Sequence, residues 1–183
     1  MIAGAPSRIL QPAVAEGFEW ALPVDEGDFE VFRSFDGRSR VASWEPIRMR
    51  LITVDDKGLS LRRAELPWLG EHVLILRDQA IESVGAVLAR YGELLPLECA
   101  EARLAVFNAT QILDAIDEER SDLIRFGSGR LMKIVHPVFR EGIEETGVFK
   151  WGMDPVGPIY FARSVAERIS ATGHSAGTDF VNV

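Results

Sequence analysis

A chain of 183 residues, 47% hydrophobic and 26% charged, has the composition of one folded domain and not of a disordered segment. Its net charge of −8 argues against direct nucleic-acid binding, which needs clustered Lys and Arg to neutralise phosphates, and favours basic partners. One cysteine, Cys99, excludes an intramolecular disulfide and any multi-cysteine zinc site.

Met1 to Gly17 is small, interrupted by proline and weakly patterned, so it reads as a loosely ordered N-terminal arm. It lacks the charged and apolar regions of a signal peptide. No apolar run approaches the roughly 20 residues that span a bilayer, and a cytoplasmic location without membrane association is expected. Residues 18–183 are expected to form a single α+β domain, with 18–70 as a β-rich N-terminal lobe within it.

From Phe18 to Phe35, apolar residues broken by Pro23 and by Asp25, Glu26 and Asp28 suggest short strands joined by a polar turn. Ile47, Met49 and Leu51 alternate with Arg48 and Arg50, predicting a strand. The turn Asp55-Asp56-Lys57-Gly58 and the alternation Leu59 to Arg62 suggest that it pairs in a hairpin. His72 to Leu76 is apolar throughout and is expected in a central position covered on both faces.

Asp78 then stands as a plausible N-cap for a helix whose buried stripe is Ile81, Val84, Val87, Leu88 and Tyr91, with Gly92 as its stop. Further strands are predicted at Arg103–Phe107, Asp122–Phe126, Leu131–Val135 and Val148–Trp151, with a Gly127-Ser128-Gly129 turn. Phe139 and Ile143 suggest one helical turn. Ile159 to Phe161 feeds a second helix with a Ser164/Glu167 capping box and a Gly173 stop, and Asp179 to Val183 ends the chain as an edge strand. Short connections between strands predict an α+β fold of mostly antiparallel sheet, with a few short helices packed on one side.

His72, His136 and His174 lack metal-ligand spacing and read as structural or surface residues. There is no P-loop, no GxGxxG and no GxSxG. Glu98 and Glu101 beside Cys99 are expected to raise its pKa and blunt the thiol. The four tryptophans read as core anchors.

An acidic run remains: Asp114, Asp117, Glu118, Glu119 and Asp122. On a helix Asp114, Asp117 and Glu118 share a face, opposite Ile112, Leu113 and Ile116. Such a face can be plainly solvated, bind a protein, or hold a metal or catalytic carboxylates. Glu141, Glu144 and Glu145 form a second run.

Several phrases in fixed order carry a resemblance: WEPIRM (44–49), LPWLGEHVLILRDQA (66–80), GELLPLE (92–98), LAVFNATQILDAIDEERS (104–121), VFKW (148–151) and a closing IYFARSVAERISATG…DFVNV. With these the chain resembles the bacterial Imm11 (DUF1629) immunity-protein family. Asp78 departs from the serine expected there, His174-Ser175-Ala176 replaces a more apolar approach to the last strand, and the first 40 residues match little.

The resemblance implies a protein that binds and blocks a cognate polymorphic or contact-delivered toxin, with no catalytic residues and no cofactor. It gives structural jobs to Trp44, Pro46, Gly92, Glu93, Pro96, Asn108, Asp114, Asp117 and Ser121: Gly92 to stop a helix, Pro96 to end a strand, Asn108 and Ser121 to cap backbone. The expected partner is a basic toxin such as a nuclease, and Asp114, Asp117, Glu118, Glu119 and Asp122 are the candidate contact residues. The alternatives are an enzyme working through carboxylates such as Asp114 and Asp117, or a homo-oligomeric interaction module.

Overall fold

A computed structural model describes residues 8–183. In chain order its strands are β1 (Ile9–Val14), β2 (Trp20–Pro23), β3 (Arg48–Ile52), β4 (Leu74–Arg77), β5 (Gly92–Cys99), β6 (Leu104–Ala109), β7 (Ile112–Leu113), β8 (Asp122–Arg125), β9 (Leu131–His136), β10 (Val148–Trp151), β11 (Tyr160–Ala162) and β12 (Thr178–Asn182). The α-helices are α1 (Phe29–Arg33), α2 (Gln79–Leu88) and α3 (Arg163–Ala171).

Two five-stranded sheets organise these elements, in the orders β12-β1-β11-β10-β7 and β2-β3-β5-β6-β4. Pairing is antiparallel except between β3 and β5 and between β7 and β10. The result is a mixed, mainly antiparallel α+β fold, with β8 and β9 as a separate hairpin. Residues 18–70 form no lobe of their own, because β2 and β3 share a sheet with β4, β5 and β6.

The period of two along β4 sends its side chains into two cores. Leu74 and Leu76 pack with Val84 and Leu88 of α2 and Val165 and Ile169 of α3. Val73 and Ile75 face the other way, toward Phe32 and Phe35 around α1. The expected double cover is present, but β4 is not central: the fully buried interior strand beside it is β6, between β5 and β4, and β5 is the middle strand of the sheet. β4 ends the strand order, and its outer side is met by a loop, with the Arg77 amide donating to the Glu65 carbonyl at 2.9 Å.

Several local expectations change. Met1–Ser7 of the expected arm lie outside the described residues, but Ile9–Val14 is an interior strand with Ile9 and Leu10 buried. Pro12 is tolerated there because β11 pairs only with Ile9 and Leu10, so its missing N–H falls beyond that ladder. The apparent hairpin of residues 47–62 reduces to the Asp55 turn and one bridge, Val54 to Ser60, because β3 pairs instead with β2 and β5.

Asp78 is not a side-chain cap; it sits at φ 46° and its carboxylate ties loops together. It accepts the Arg103 amide at 3.1 Å and the Arg63 guanidinium at 2.8 Å. Burial opposes its ionisation, yet these donors and Arg77 outweigh that and hold it below the usual range. Ala162, not Ser164, precedes α3, so no capping box forms, although Gly173 at φ 75° stops that helix as expected.

Gly92 opens β5 instead of ending a helix in the left-handed region. Its need for glycine is close approach: a Cβ there would overlap the Asn108 carbonyl. Pro96 lies inside β5, opposite Ala105, and does not end it. Of the tryptophans, Trp151 is a core anchor at 1% exposure, whereas Trp20 is 40% exposed.

Candidate functional site

The acidic run does not form a helix. Ile112 and Leu113 are taken by the parallel pairing with Lys150 and Trp151, and Ile116 bridges to Phe139. Ser121 donates its hydroxyl to the Asp117 carbonyl at 2.6 Å and accepts the Val138 amide at 2.8 Å, holding the segment open at the base of the β8–β9 hairpin.

Most of its carboxylates already have partners. Asp114 meets Arg140 at 3.2 Å, Glu118 meets Arg125 at 2.6 Å, and Asp122 faces His136 at 3.1 Å. Asp117 accepts the Arg120 amide at 3.3 Å, while Glu119 is exposed. Exposed pairs of this kind contribute roughly 0–1 kcal/mol each, so they orient the hairpin more than they stabilise the fold. In the second run, Glu144 pairs with Arg8 at 2.7 Å.

The hairpin stands against the outer face of the first sheet. Leu123, Leu131 and Ile134 pack on the cluster of Phe149, Trp151 and Tyr160. Its other side chains face solvent: Ile124, Phe126, Met132 and Val135 are 40–53% exposed. Arg125, Arg130 and Lys133 are exposed among them, so the hairpin presents apolar groups interspersed with cations.

Between hairpin and sheet runs a cleft of about 610 Å³, lined by Lys133 to Pro137 on one side and by Glu71, Asp154, Pro158 and Tyr160 on the other. Three local structures place the polar groups. The Ile159 amide donates to the Glu71 carbonyl at 2.9 Å, bringing Glu71 beside the strand that carries Tyr160. Asp154 sits in the tight turn after β10, where the Gly157 amide donates to its carbonyl at 3.0 Å. The Tyr160 ring is fixed by Phe139 and Phe149, with centroids 5.4 and 5.6 Å away.

Lost hydration in the cleft raises the Glu71 carboxyl, and the neighbouring Asp154 charge raises it further. Burial also raises Asp154, against the pull of Lys150. The Tyr160 hydroxyl is pushed up by burial and then by both carboxylates.

Lys150 lies behind Asp154, fully buried, with Nζ donating to the carbonyls of Phe35 at 2.7 Å and Gly157 at 3.2 Å. Burial lowers its pKa to about 8. Burial, then Lys150 and Arg33, lower His72 to about 4. Neither Glu71 nor Asp154 belongs to a sequence pattern; they come from loops far apart in the chain, and only the fold brings them together.

Some of the positions that carry the resemblance, Asn108 and Glu93, form an interior junction elsewhere, while Asp114, Asp117 and Ser121 stay at the hairpin base and Pro46 and Pro96 are exposed. Asn108, fully buried, donates to the Arg38 carbonyl and to Glu93, each at 2.9 Å. Glu93 also accepts the Ser39 hydroxyl at 2.7 Å and the Arg40 amide at 2.6 Å. Burial works against its charge, but these donors hold its pKa low. Trp44 Nε1 donates to the Pro96 carbonyl at 2.8 Å. Ser121 and Asn108 thus do satisfy backbone groups, as expected.

Cys99 also behaves as expected. Burial and then its contact with Glu101, 3.0 Å from Sγ, raise the thiol. Among the described residues, no helix is long and apolar enough to cross a membrane. The chain matches no protein-family model and no curated protein.

Proposed function

We propose that this chain is a cytoplasmic immunity protein that neutralises a cognate toxin by one-to-one binding. The reading rests on the resemblance of residues 44–183, and one structural observation supports it: Asn108 and Glu93, which carry part of that resemblance, are hydrogen-bonded into an internal junction, while the β8–β9 hairpin turns apolar side chains outward. A common frame with an individual surface suits proteins that share a fold and differ in partner. Exposed apolar groups on a projecting element suit a protein interface.

The net charge of −8 favours encounter with a basic toxin and acts mainly on association rate. Asp114, Asp117, Glu118, Glu119 and Asp122 sit at the hairpin base and form the charged border of the proposed contact. Their internal partners leave the apolar hairpin as its centre.

Co-expression with the product of the adjacent gene tests the proposal. A complex that survives purification and restores growth is expected. Absence of both the complex and the protection would remove the proposal. An enzymatic reading would instead use Glu71 and Asp154, the carboxylates facing a cleft, in place of Asp114 and Asp117.

A further inference from the structure

Three oxygen-bearing groups line the cleft beside the hairpin with no hydrogen bond made to their side chains among the described residues, although Lys133 and Gln11 line it as well. Only lost hydration and charge act on the carboxylates of Glu71 and Asp154, with no hydrogen bond to either among the described residues. Every ordinary way of satisfying a carboxylate, by arginine or backbone amide, is used elsewhere in this chain, at Glu93 and Asp78 for example. Glu71 is exposed and Asp154 half-buried, so both acceptors stay open to an incoming donor.

Tyr160 supplies an independent sign. Its side chain is 2% exposed and its ring is fixed by aromatic neighbours, yet it lines the cleft. Its hydroxyl takes no hydrogen bond among the described residues and lies within electrostatic reach of both carboxylates. A phenol so deeply set ordinarily finds a partner inside the protein. This one is aimed at open space.

We propose that the cleft binds a guanidinium group. A guanidinium is planar, carries five N–H donors and no acceptor, and can bridge two carboxylates while a further N–H meets the phenol oxygen. Its weak hydration makes it cheaper to desolvate than an ammonium. Val135, Pro137 and Pro158 supply apolar wall for an aliphatic stem. A cleft of about 610 Å³ has the size of sites for small ligands, enough for an arginine side chain with its adjoining backbone.

The positive charges nearby do not fill this role. Lys150 is committed to the Phe35 and Gly157 carbonyls, and His136 faces Asp122. Lys133, on the hairpin wall, is the internal rival for the same carboxylates.

The guanidinium can belong to an arginine of a protein partner or to a free compound. The first form rests on the immunity reading; the site itself does not. The test titrates the isotope-labelled full chain with capped arginine, capped citrulline (the uncharged analogue) and agmatine, following amide shifts. Capped arginine is expected to saturate shifts at Glu71, Asp154 and Tyr160, and citrulline to leave them unmoved.

Glu71→Gln and Asp154→Asn should each weaken binding tenfold or more. Tyr160→Phe, which keeps the ring and its packing, should weaken it about threefold with unchanged thermal unfolding. Lys133→Ala should strengthen it. Tighter binding of capped arginine than of agmatine identifies a chain-borne arginine, and the reverse a free cation.

Equal response to arginine and citrulline, or no saturable shift at these residues, would overturn the proposal. Capped arginine that binds in a chain failing to protect against the toxin removes the immunity reading and leaves the site. Protection without arginine binding removes the site alone.

Discussion

Lys150 donates from Nζ to the Phe35 carbonyl at 2.7 Å, joining a buried strand of one sheet to the segment that follows α1. The ammonium has no exposure to water, and burial lowers its pKa to about 8. Below that pH both folded and unfolded chains carry the proton, so folding bears the full cost of burying the charge. Between pH 8 and the ordinary lysine value near 10.5 the unfolded chain binds the extra proton, and stability must rise with pH.

Lys150→Met should therefore abolish a stability gain of up to about 3 kcal/mol over that interval. Urea unfolding of wild type and variant at pH 8 and pH 10 measures it. At neutral pH the variant also leaves two carbonyls unmet, at a cost of about 1–3 kcal/mol, against which relief of charge burial acts.

Histidine 72 gives the opposite end of the pH scale. Its pKa falls from 6.5 to about 4, through burial first and then Lys150 and Arg33. The folded state prefers the neutral ring, so the contribution is complete above pH 6.5 and disappears as pH falls toward 4. His72→Gln should remove a loss of about 2 kcal/mol across that window, allowing for the partial exposure of the ring. Denaturant midpoints at pH 7 and pH 4.5 provide the comparison.

Gly92→Ala tests whether close approach, and not backbone hand, fixes that residue. An added methyl group meets the Asn108 carbonyl and the Phe107 ring. The strand pair β5–β6 cannot separate without disturbing both cores, so a destabilisation of about 2 kcal/mol or more is expected. The same change at Gly127, where nothing lies near a Cβ, should stay within about 0.5 kcal/mol. Thermal unfolding of the two variants decides the point.

The hairpin should separate binding from folding. Phe126 and Met132 are 40% and 53% exposed, so Phe126→Ser and Met132→Ser should change stability by no more than about 0.5 kcal/mol. Each should weaken the proposed toxin complex tenfold or more, the behaviour of apolar residues at an interface centre. Calorimetric titration against the adjacent gene's product measures this.

What was legible in the sequence was mostly local. The apolar stripe of α2, the Gly127-Ser128-Gly129 turn and the short strand Val148–Trp151 all reflect nearest-neighbour geometry, and each has its structural counterpart. Helical spacing misled at Asp114–Asp122, because a short isolated helix is marginal and distant β10 offers Ile112 and Leu113 a better partner. The arm at Ile9–Val14 gains its order from β11 and β12 at the far end of the chain. Glu71, Asp154 and Tyr160 were invisible as a group for the same reason: each looks ordinary in its own segment.

The most direct measurement titrates the purified toxin's activity with this chain. One-to-one sequestration predicts a sharp end point at equal concentrations, shifted to weaker binding by Phe126→Ser and Met132→Ser. Activity that persists at excess chain would contradict the account. So would a loss of toxin activity that continues with time at far less than one equivalent.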